Sequence, residues 1–288
     1  MGVIEEDVEE GRSLVDLHTH THASDGLLAP AALVELASQR GLSVLGITDH
    51  DTVDGLPSAR VEAERRGVTL VPGVELSTTG VGRELHILGY FVDDQDDVFV
   101  RHLCDFAAER RDRIARMVER LNAEGYPVDL ERVWELASDG SVGRPHIARA
   151  LLELGVVADI GDAFDRFLTR GRPVYVPRTP YPPENALALL LANGAVPVLA
   201  HPFSTGDVEH ALRLLVPAGL RGMEVFYGAY DDTQRAKLEA MAAAWNLIPT
   251  GGSDYHGTGV REGRELGNSP VPLATVARLR AVAAELHR

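Results

Sequence analysis

The sequence has few of the residues that several common kinds of site require. Its 288 residues include one cysteine, Cys104, so an intramolecular disulfide and a zinc site built from several thiolates are both excluded. Its one lysine is Lys237, and no G-x-x-x-x-G-K-[ST] segment occurs, which excludes a phosphate-binding P-loop. A metal site in this chain must therefore be built from histidine and carboxylate side chains.

Positive charge and long apolar runs are also scarce. The chain has 28 basic and 43 acidic residues, for a formal net charge of −15, so it lacks the basic footprint of a nucleic-acid-binding protein and no stable complex with DNA is expected. A phosphorylated substrate remains compatible, because bound cations can reverse the local charge. No apolar run approaches the roughly 20 residues of a membrane span, and residues 1–12 resemble a flexible acidic tail rather than a signal peptide. The sequence predicts a cytoplasmic protein without a membrane partner.

What is present is a regular alternation of short apolar runs with helix-like segments. Hydrophobic residues make up 45% of the chain, which is enough for a large core. The alternation predicts an α/β fold with a parallel sheet, either doubly wound or a barrel, over residues 13–99 and again over 191–288. Residues 100–190 interrupt this alternation with a long amphipathic helix and further segments of helical pattern. We interpret them as a mainly helical insertion.

Histidine or carboxylate side chains follow the predicted strands. In "VDLHTHTHASDG", His18 and His20 occupy alternate positions, so in a strand both imidazoles leave the same face. Strand ends of α/β folds converge on one face, where ligands and catalytic groups gather. The candidates at these ends are His18, His20, Asp25, Asp49, His50, Glu75, His86, His201, Asp254 and His256.

Two neighbouring residues allow more than one interpretation. His22 is on the same face as His18 and His20 and could be a further ligand, but a turn that begins at about Ala23 favours a non-ligating residue. Asp49 could bind a metal, or it could be a capping carboxylate or one that orients a histidine. We favour the second role for Asp49.

The motifs "DLHTH…SDG", "ITDHDT", "GVELS", "HILGY", "AHP" and "GSDYHG" resemble, in order and spacing, the polymerase and histidinol phosphatase (PHP) family. The resemblance implies a distorted (β/α)7 barrel, with a helical insertion domain, around three divalent metal ions. It implies that the first ion is bound by His18, His20, Glu75 and Asp254, the second by Glu75, His86 and His201, and the third by Asp25, His50 and His256. Mn²⁺ is the expected metal, and Fe²⁺ or Zn²⁺ also suit such ligands.

The resemblance also implies a hydrolase for phosphate monoesters. Within the family, "GRPHIARAL" and "GRPVYVP" resemble a branch that acts on 3′,5′-nucleoside bisphosphates, AMP-like nucleotides or RNA 5′ ends. The expected partner is therefore a small phosphorylated substrate, a nucleotide or short RNA. A hydroxide that bridges the metals would attack phosphorus, and the implied catalytic residues are His18, His20, Glu75, His201, Asp254 and His256.

Substrate-binding candidates lie in the insertion. Arg144 could bind phosphate through two hydrogen bonds, and a charged His146 could bind the substrate or protonate the leaving oxygen. Alternatively, both belong to a helix start, since Gly143 and Pro145 surround them. Arg172 occupies a position where relatives often have lysine, and His22 one where a threonine is common. Tyr175 and Tyr227 are weaker candidates.

Three competing interpretations remain at this point. An amidohydrolase-type barrel also begins with H-x-H, but it commonly uses a carbamylated lysine as a metal ligand. Lys237 lies in a segment predicted to be helical rather than at a strand end, which disfavours this class. A non-catalytic PHP binding module would be marked by missing ligands, and none is missing here. A phosphatase for another small phosphomonoester, such as histidinol phosphate, is disfavoured by the insertion.

Overall fold

The computed structural model describes residues 15–80, 83–137, 140–258 and 263–286. The predicted tail, residues 1–12, lies outside these ranges. The strands of the described residues form one sheet in the order of the sequence: β1 (Val15–Asp16), β2 (Val44–Ile47), β3 (Thr69–Gly80), β4 (Arg83–Tyr90), β5 (Val196–Leu199), β6 (Gly222–Tyr227) and β7 (Ile248–Gly252).

The two ends of this sheet meet. Beyond β1, the backbone N–H of His20 donates to the carbonyl of Tyr255 at 2.9 Å, and the N–H of Asp254 donates to the carbonyl of His18 at 2.8 Å. These bonds join the segments that follow β1 and β7. The sheet is therefore a nearly closed barrel, which confirms the predicted distorted seven-stranded fold.

Strand β4 departs from the predicted parallel arrangement. It is antiparallel to both β3 and β5, whereas the other neighbouring strands pair in parallel. Only residues 81 and 82 separate β3 from β4. A parallel connection requires a crossover of a dozen or more residues, so this short link permits only a hairpin.

The helices of the described residues are α1 (Pro30–Gln39), α2 (Leu56–Arg66), α3 (Asp97–Ala123), α4 (Leu130–Ala137), α5 (Arg144–Glu153), α6 (Ile160–Ala163), α7 (Pro183–Ala192), α8 (Val208–Leu215), α9 (Asp232–Ala244) and α10 (Leu273–Leu286). None of them is long and apolar enough to cross a membrane. The cytoplasmic location stays a prediction.

From Ile114 of α3 to α6, the helices have a hydrophobic core of their own, whereas Phe99 and Leu103 at the start of α3 pack in the barrel core. Ile114, Met117 and Leu151 are fully buried in a cluster separate from the core that surrounds the barrel. In contrast, Leu187 and Leu190 of α7 pack in the barrel core, although α7 begins within the predicted insertion. The boundaries predicted at 100 and 190 stay a prediction, and the packing places the return to the barrel before α7.

A buried ion-pair cluster attaches the helical part to the barrel. Asp51, after β2, accepts a hydrogen bond from the backbone N–H of Ser77 at 2.8 Å. It also pairs with Arg110 of α3 and with Arg178, which precedes α7, at 3.4 Å. Burial alone would raise the pKa of Asp51, but the two guanidinium groups hold it well below its ordinary value. One carboxylate thus joins three separate segments.

Candidate metal centre

The predicted ligands meet at one end of the barrel, around Glu75. This fully buried carboxylate lies between five imidazoles, with its Oε1 2.7 Å from His86 Nδ1 and 3.1 Å from His201 Nε2. Its Oε2 lies 3.3 Å from His18 Nε2, 3.2 Å from His20 Nε2 and 3.2 Å from His50 Nδ1. Glu75 is therefore placed to share its two oxygens between neighbouring cations.

Three overlapping groups of ligand atoms lie close enough to hold a metal ion each. In every group the donor atoms are within 4.8 Å of one another: His18, His20 and Asp254; His50, Glu75 and His86; and His20, Asp25, His50 and His256. The first group lies within the predicted first set. The second group contains His50 beside Glu75 and His86, where the predicted second set has His201. The third group contains His20 in addition to the three residues of the predicted third set. His201 reaches the cluster through Glu75.

Two of these residues have backbone conformations that L-residues rarely adopt. His201 lies two residues after the end of β5 and has φ 27°, and Asp254 lies two residues after the end of β7 and has φ 53°. Positive φ for a non-glycine residue is uncommon and is found preferentially at functional sites. The bends turn these two side chains into the barrel mouth.

A glycine allows the first and last strands to approach closely. A Cβ atom at Gly252 would lie 2.5 Å from the Cβ of His18, a distance that real side chains do not tolerate. The glycine in "GGSDYHG" thus makes room for the imidazole that begins the cluster.

Neighbouring groups orient the imidazoles. Glu224 accepts a hydrogen bond from Nδ1 of His18 at 2.9 Å, and Ser204 Oγ lies 2.9 Å from Nδ1 of His201. The Nδ1 of His256 donates to the backbone carbonyl of Asp254 at 2.8 Å. In each case Nε2 is left facing the cluster. Metal-binding histidines almost always have their second ring nitrogen held in this way.

Asp254 is held by two further side chains. Its Oδ2 accepts a hydrogen bond from the Tyr227 hydroxyl at 2.7 Å and pairs with Arg264. Burial and the nearby carboxylate raise the pKa of Tyr227 far above its ordinary value, so the phenol remains a donor at neutral pH. The other oxygen, Oδ1, lies 3.2 Å from His20 Nε2.

The residues present fit divalent metal ions. Nδ1 of His20 and Nδ1 of His50 are buried and have no hydrogen-bond partner among the described residues. Nε2 of His18 and Nε2 of His20 face each other at 3.1 Å, and two ring nitrogens without a shared proton repel each other. Cations would satisfy all these atoms, and imidazole with carboxylate suits Mn²⁺, Fe²⁺ or Zn²⁺.

The structure distinguishes between the roles considered for Asp49 and His22. Asp49 accepts hydrogen bonds from the backbone N–H of Thr21 at 2.8 Å and from the Ser24 hydroxyl at 2.6 Å. It therefore holds the loop that carries His20 and Asp25. His22 is exposed on that loop.

A cavity of about 350 Å³ lies over the cluster, and one of its walls is rich in arginine. Arg110, Arg113, Arg144 and Arg178 line it, and Arg264 lines it beside Asp254. Of these, only Arg144 was a candidate from the sequence. Arg144 pairs with Glu84 of β4 at 2.7 Å, and its position at the start of α5 agrees with the helix-start alternative.

The remaining predicted substrate residues lie elsewhere. His146 is buried, and its Nδ1 accepts a hydrogen bond from the Gly143 N–H at 2.9 Å. Burial lowers the pKa of His146 to about 4, and the charge of Asp25 offsets this only in part, so the ring is neutral near pH 7. Arg172 is exposed and is not among the residues that line the cavity.

The barrel, the strand-end ligands and the cationic cavity define a metal-dependent hydrolase of the α/β-barrel class. The family profile described as "PHP domain" matches residues 16–153. The chain is 38% identical over 253 residues to the 5′-3′ exoribonuclease Rnm of Escherichia coli, covering 84% of this chain and 85% of that protein. It is 30% identical over 260 residues to the 3′,5′-nucleoside bisphosphate phosphatase of Chromobacterium violaceum, covering 88% and 91%.

Solved structures agree. A protein from Bifidobacterium adolescentis, assigned as a metal-dependent phosphoesterase, superposes with a TM-score of 0.86 at 31% identity, covering 93% of this chain and 96% of that one. A Chromobacterium violaceum structure described as an amidohydrolase with bound sulfate and no metal superposes with a TM-score of 0.84 at 29% identity, covering 94% and 97%. The chain belongs to the PHP family and is a phosphoester hydrolase.

Proposed function

We propose that this protein hydrolyses phosphate esters of nucleotides with the help of divalent metal ions, and that nucleoside 3′,5′-bisphosphates and short 5′-phosphorylated RNA are its substrates. The observation that carries the proposal is that the ligand cluster and the arginine wall line one cavity. The names of the Escherichia coli and Chromobacterium violaceum relatives support the choice of substrates.

We assign the metal ions to the residues that the resemblance implies, with Mn²⁺ as the expected metal and three ions as the expected number. The ligands are His18, His20, Asp25, His50, Glu75, His86, His201, Asp254 and His256. When bound, such ions neutralise phosphoryl oxygens and make a water molecule acidic enough to attack phosphorus. Their charge also explains how a chain with a net charge of −15 can attract a phosphate.

The arginine wall binds and orients the substrate. Four guanidinium groups, those of Arg110, Arg113, Arg144 and Arg178, face two carboxylates, Asp51 and Glu84, which leaves an excess of positive charge beside the metal cluster. Guanidinium groups bind phosphate oxygens through paired hydrogen bonds. A phosphate ester in the cavity is therefore held between metal ligands on one side and arginine on the other.

The groups behind the ligands keep them in place during turnover. Glu224 and Ser204 keep Nε2 of His18 and of His201 aimed at the cluster, and Tyr227 with Arg264 fixes Asp254. Because these side chains are already in position before the reaction, the site needs no reorganisation when charge develops on the reacting phosphate. For Arg172 a substrate role stays a prediction, since no contact with the cavity supports it.

The test is phosphate or nucleotide release after reconstitution with Mn²⁺, from adenosine 3′,5′-bisphosphate, AMP, histidinol phosphate and a short 5′-phosphorylated RNA. We expect the bisphosphate and the RNA to have the highest kcat/KM, and chelation to abolish release from both. Preference for histidinol phosphate would replace the proposed substrates. A metal-loaded protein that is inert toward every phosphoester would instead support a non-catalytic binding module.

A further inference from the structure

A second cavity adjoins the one over the metal cluster. It has a volume of about 730 Å³, compared with about 350 Å³ for the cavity over the cluster. Arg144, Arg178 and Ser204 line both cavities, so the two lie next to each other along these residues. We call the second cavity the side pocket.

The walls of the side pocket combine cations with flat apolar surfaces. Besides the shared residues, it is lined by Arg170, Tyr175, Pro177 and Pro180. The guanidinium carbon of Arg144 lies 5.9 Å from the centre of the Tyr175 ring. Basic side chains interleaved with an aromatic ring are typical of surfaces that bind single-stranded nucleic acid, since the cations contact phosphates and the ring stacks on a base.

The one carboxylate among the lining residues is already engaged. Glu84 contacts Arg144 at 2.7 Å, Arg113 at 3.6 Å and Arg178 at 3.8 Å. Burial and the neighbouring arginines lower the pKa of Arg113 and of Arg178 to about 10, so both remain cations at neutral pH. The lining of the pocket thus holds three arginines, Arg144, Arg170 and Arg178, and one carboxylate, Glu84.

Unsatisfied donors lie at the junction of the two cavities. The Nε–H of Arg178 and Nη2 of Arg113 are buried and make no hydrogen bond within the described part of the chain, although they lie 3.8 Å and 3.6 Å from Oε1 of Glu84. A buried donor that makes no hydrogen bond is destabilising. Glu84 therefore leaves these two cations incompletely hydrogen-bonded.

The size of the two cavities indicates what the second one is for. Ligand cavities generally measure about 300–1,000 Å³, so the cavity over the cluster is large enough for little more than one nucleotide. A substrate that consists of a single nucleoside would leave the side pocket unused. A chain of nucleotides would extend into it.

We propose that the side pocket binds the nucleotide joined to the one held at the metal centre, and thereby adapts this protein to single-stranded RNA. This rests on the function proposed above. Arg178, at the junction, contacts the connecting phosphate; Tyr175 stacks on the second base; Arg170 contacts the phosphate beyond it. The proposal assigns a path for the RNA strand, from the metal centre toward the segment between the π-helix at Phe164–Leu168 and α7.

The test compares kcat/KM for a 5′-phosphorylated pentanucleotide with kcat/KM for adenosine 3′,5′-bisphosphate, on the Mn²⁺-loaded full chain. We expect Arg170→Glu to lower the ratio of the first to the second by about tenfold or more. Arg278→Glu is the matched control, because Arg278 is exposed on α10 and lines neither cavity. Its ratio should equal that of the wild type.

A second pair of variants tests the stacking role independently of charge. Tyr175→Leu should lower the same ratio by about tenfold, whereas Tyr175→Phe, which keeps the ring, should retain it. Arg170→Glu should also change the salt dependence of KM for the pentanucleotide. In a plot of log KM against log salt concentration, the slope should be smaller than that of the wild type by about 0.7, the value for one lost phosphate contact.

One result would overturn the side-pocket assignment: an unchanged ratio in both Arg170→Glu and Tyr175→Leu, whether the two substrates are unaffected or lose activity equally. This result differs from a failure of the proposed function, in which the wild-type protein hydrolyses neither substrate. If the wild type releases phosphate from the bisphosphate alone, the phosphatase activity stands and the RNA path is wrong.

Discussion

Glu224 is hydrogen-bonded to Nδ1 of His18 at 2.9 Å, in a contact that is completely shielded from solvent. The other oxygen of the same carboxylate accepts the backbone N–H of His201 at 2.6 Å. One residue of β6 therefore positions two candidate ligands that are far apart in the sequence. Such partners of metal ligands commonly contribute a factor of ten to a hundred in metal affinity.

We therefore expect Glu224→Gln to weaken Mn²⁺ binding by about tenfold to a hundredfold, because the amide is a poorer acceptor for the imidazole N–H. Titration of the metal-free protein with Mn²⁺ measures this directly. Glu209→Gln, at an exposed position of α8 that pairs with Arg213, is the control. Equal Mn²⁺ affinities of wild type and Glu224→Gln would show that the hydrogen bond does not position His18.

The Tyr227 hydroxyl provides a second test of ligand positioning. Tyr227→Phe removes one of the two side chains that hold Asp254 and leaves the ring packed 5.9 Å from that of His201. Hydrogen bonds to charged groups contribute about 1.5–3 kcal/mol, so kcat/KM should fall by about tenfold or more.

The stability of the Tyr227→Phe protein should change much less than its activity. Thermal unfolding of the two proteins checks that the loss is local to the site. If kcat/KM stays at the wild-type value, Arg264 alone is sufficient to hold Asp254.

Asp51 should matter for stability. Asp51→Asn leaves the buried guanidinium groups of Arg110 and Arg178 without their carboxylate partner, and breaking a buried pair from one side costs about 3–5 kcal/mol. Urea unfolding should show a decrease of about this size in the free energy of unfolding. Glu135→Gln removes an exposed partner of Arg132 and should leave that free energy nearly unchanged.

Because the pKa of Asp51 is low, its contribution to the free energy of unfolding depends on pH, and the direction of this dependence can be stated. Because its folded pKa lies below the unfolded value, the stabilisation is present above the unfolded pKa of roughly 4 and is lost as the pH falls below it. The difference in unfolding free energy between wild type and Asp51→Asn should therefore shrink on acidification. A difference that is constant from pH 7 to pH 3 would contradict an ionised Asp51.

His146 should behave as a neutral helix-start residue. His146→Asn can keep an acceptor for the Gly143 N–H, so kcat at pH 7 should remain within about threefold of the wild type, whereas loss of a general acid typically costs a factor of 10²–10⁴. A loss in that range would restore the catalytic role considered from the sequence.

The same variant has a testable effect on stability. His146 has a folded pKa of about 4 and an unfolded pKa of about 6.5. The unfolded chain therefore binds a proton more readily between these values, and the wild type loses stability as the pH falls through this window. Compared with His146→Asn, the wild type should lose on the order of 2–3 kcal/mol of unfolding free energy by pH 4.

The sequence predicted the barrel and the candidate ligands well because both follow from local patterns. Histidines and carboxylates that closely follow apolar strands, such as His50 after β2 and Asp254 after β7, lie at one end of a barrel once the strands pair, whereas Glu75 and His86 lie within the long strands β3 and β4. The antiparallel β4 was also encoded locally, in the short link after Gly80, but the alternation of strands and helices elsewhere obscured it. The ligand roles themselves stay a prediction.

The arginine wall and the supporting carboxylates could not be predicted in the same way. Arg110 lies within a long charged helix, where a basic residue is ordinarily exposed, and Arg178 lies in a proline-rich connection. Their position depends on how the helical part packs against the barrel, which involves contacts such as that with Asp51. Glu224 has no neighbouring motif to distinguish it from any other charged residue in a strand. Tertiary packing, rather than spacing, determines these roles.

The contact between the segments after β1 and β7 has a consequence for biosynthesis. The neighbours of His18, Asp254 and His256, are translated more than two hundred residues after it. The ligand cluster therefore cannot be complete until these residues have been synthesised, and we expect full metal loading only after that point. A ribosome-stalled chain that ends before Asp254 should consequently retain far less Mn²⁺ than the released protein.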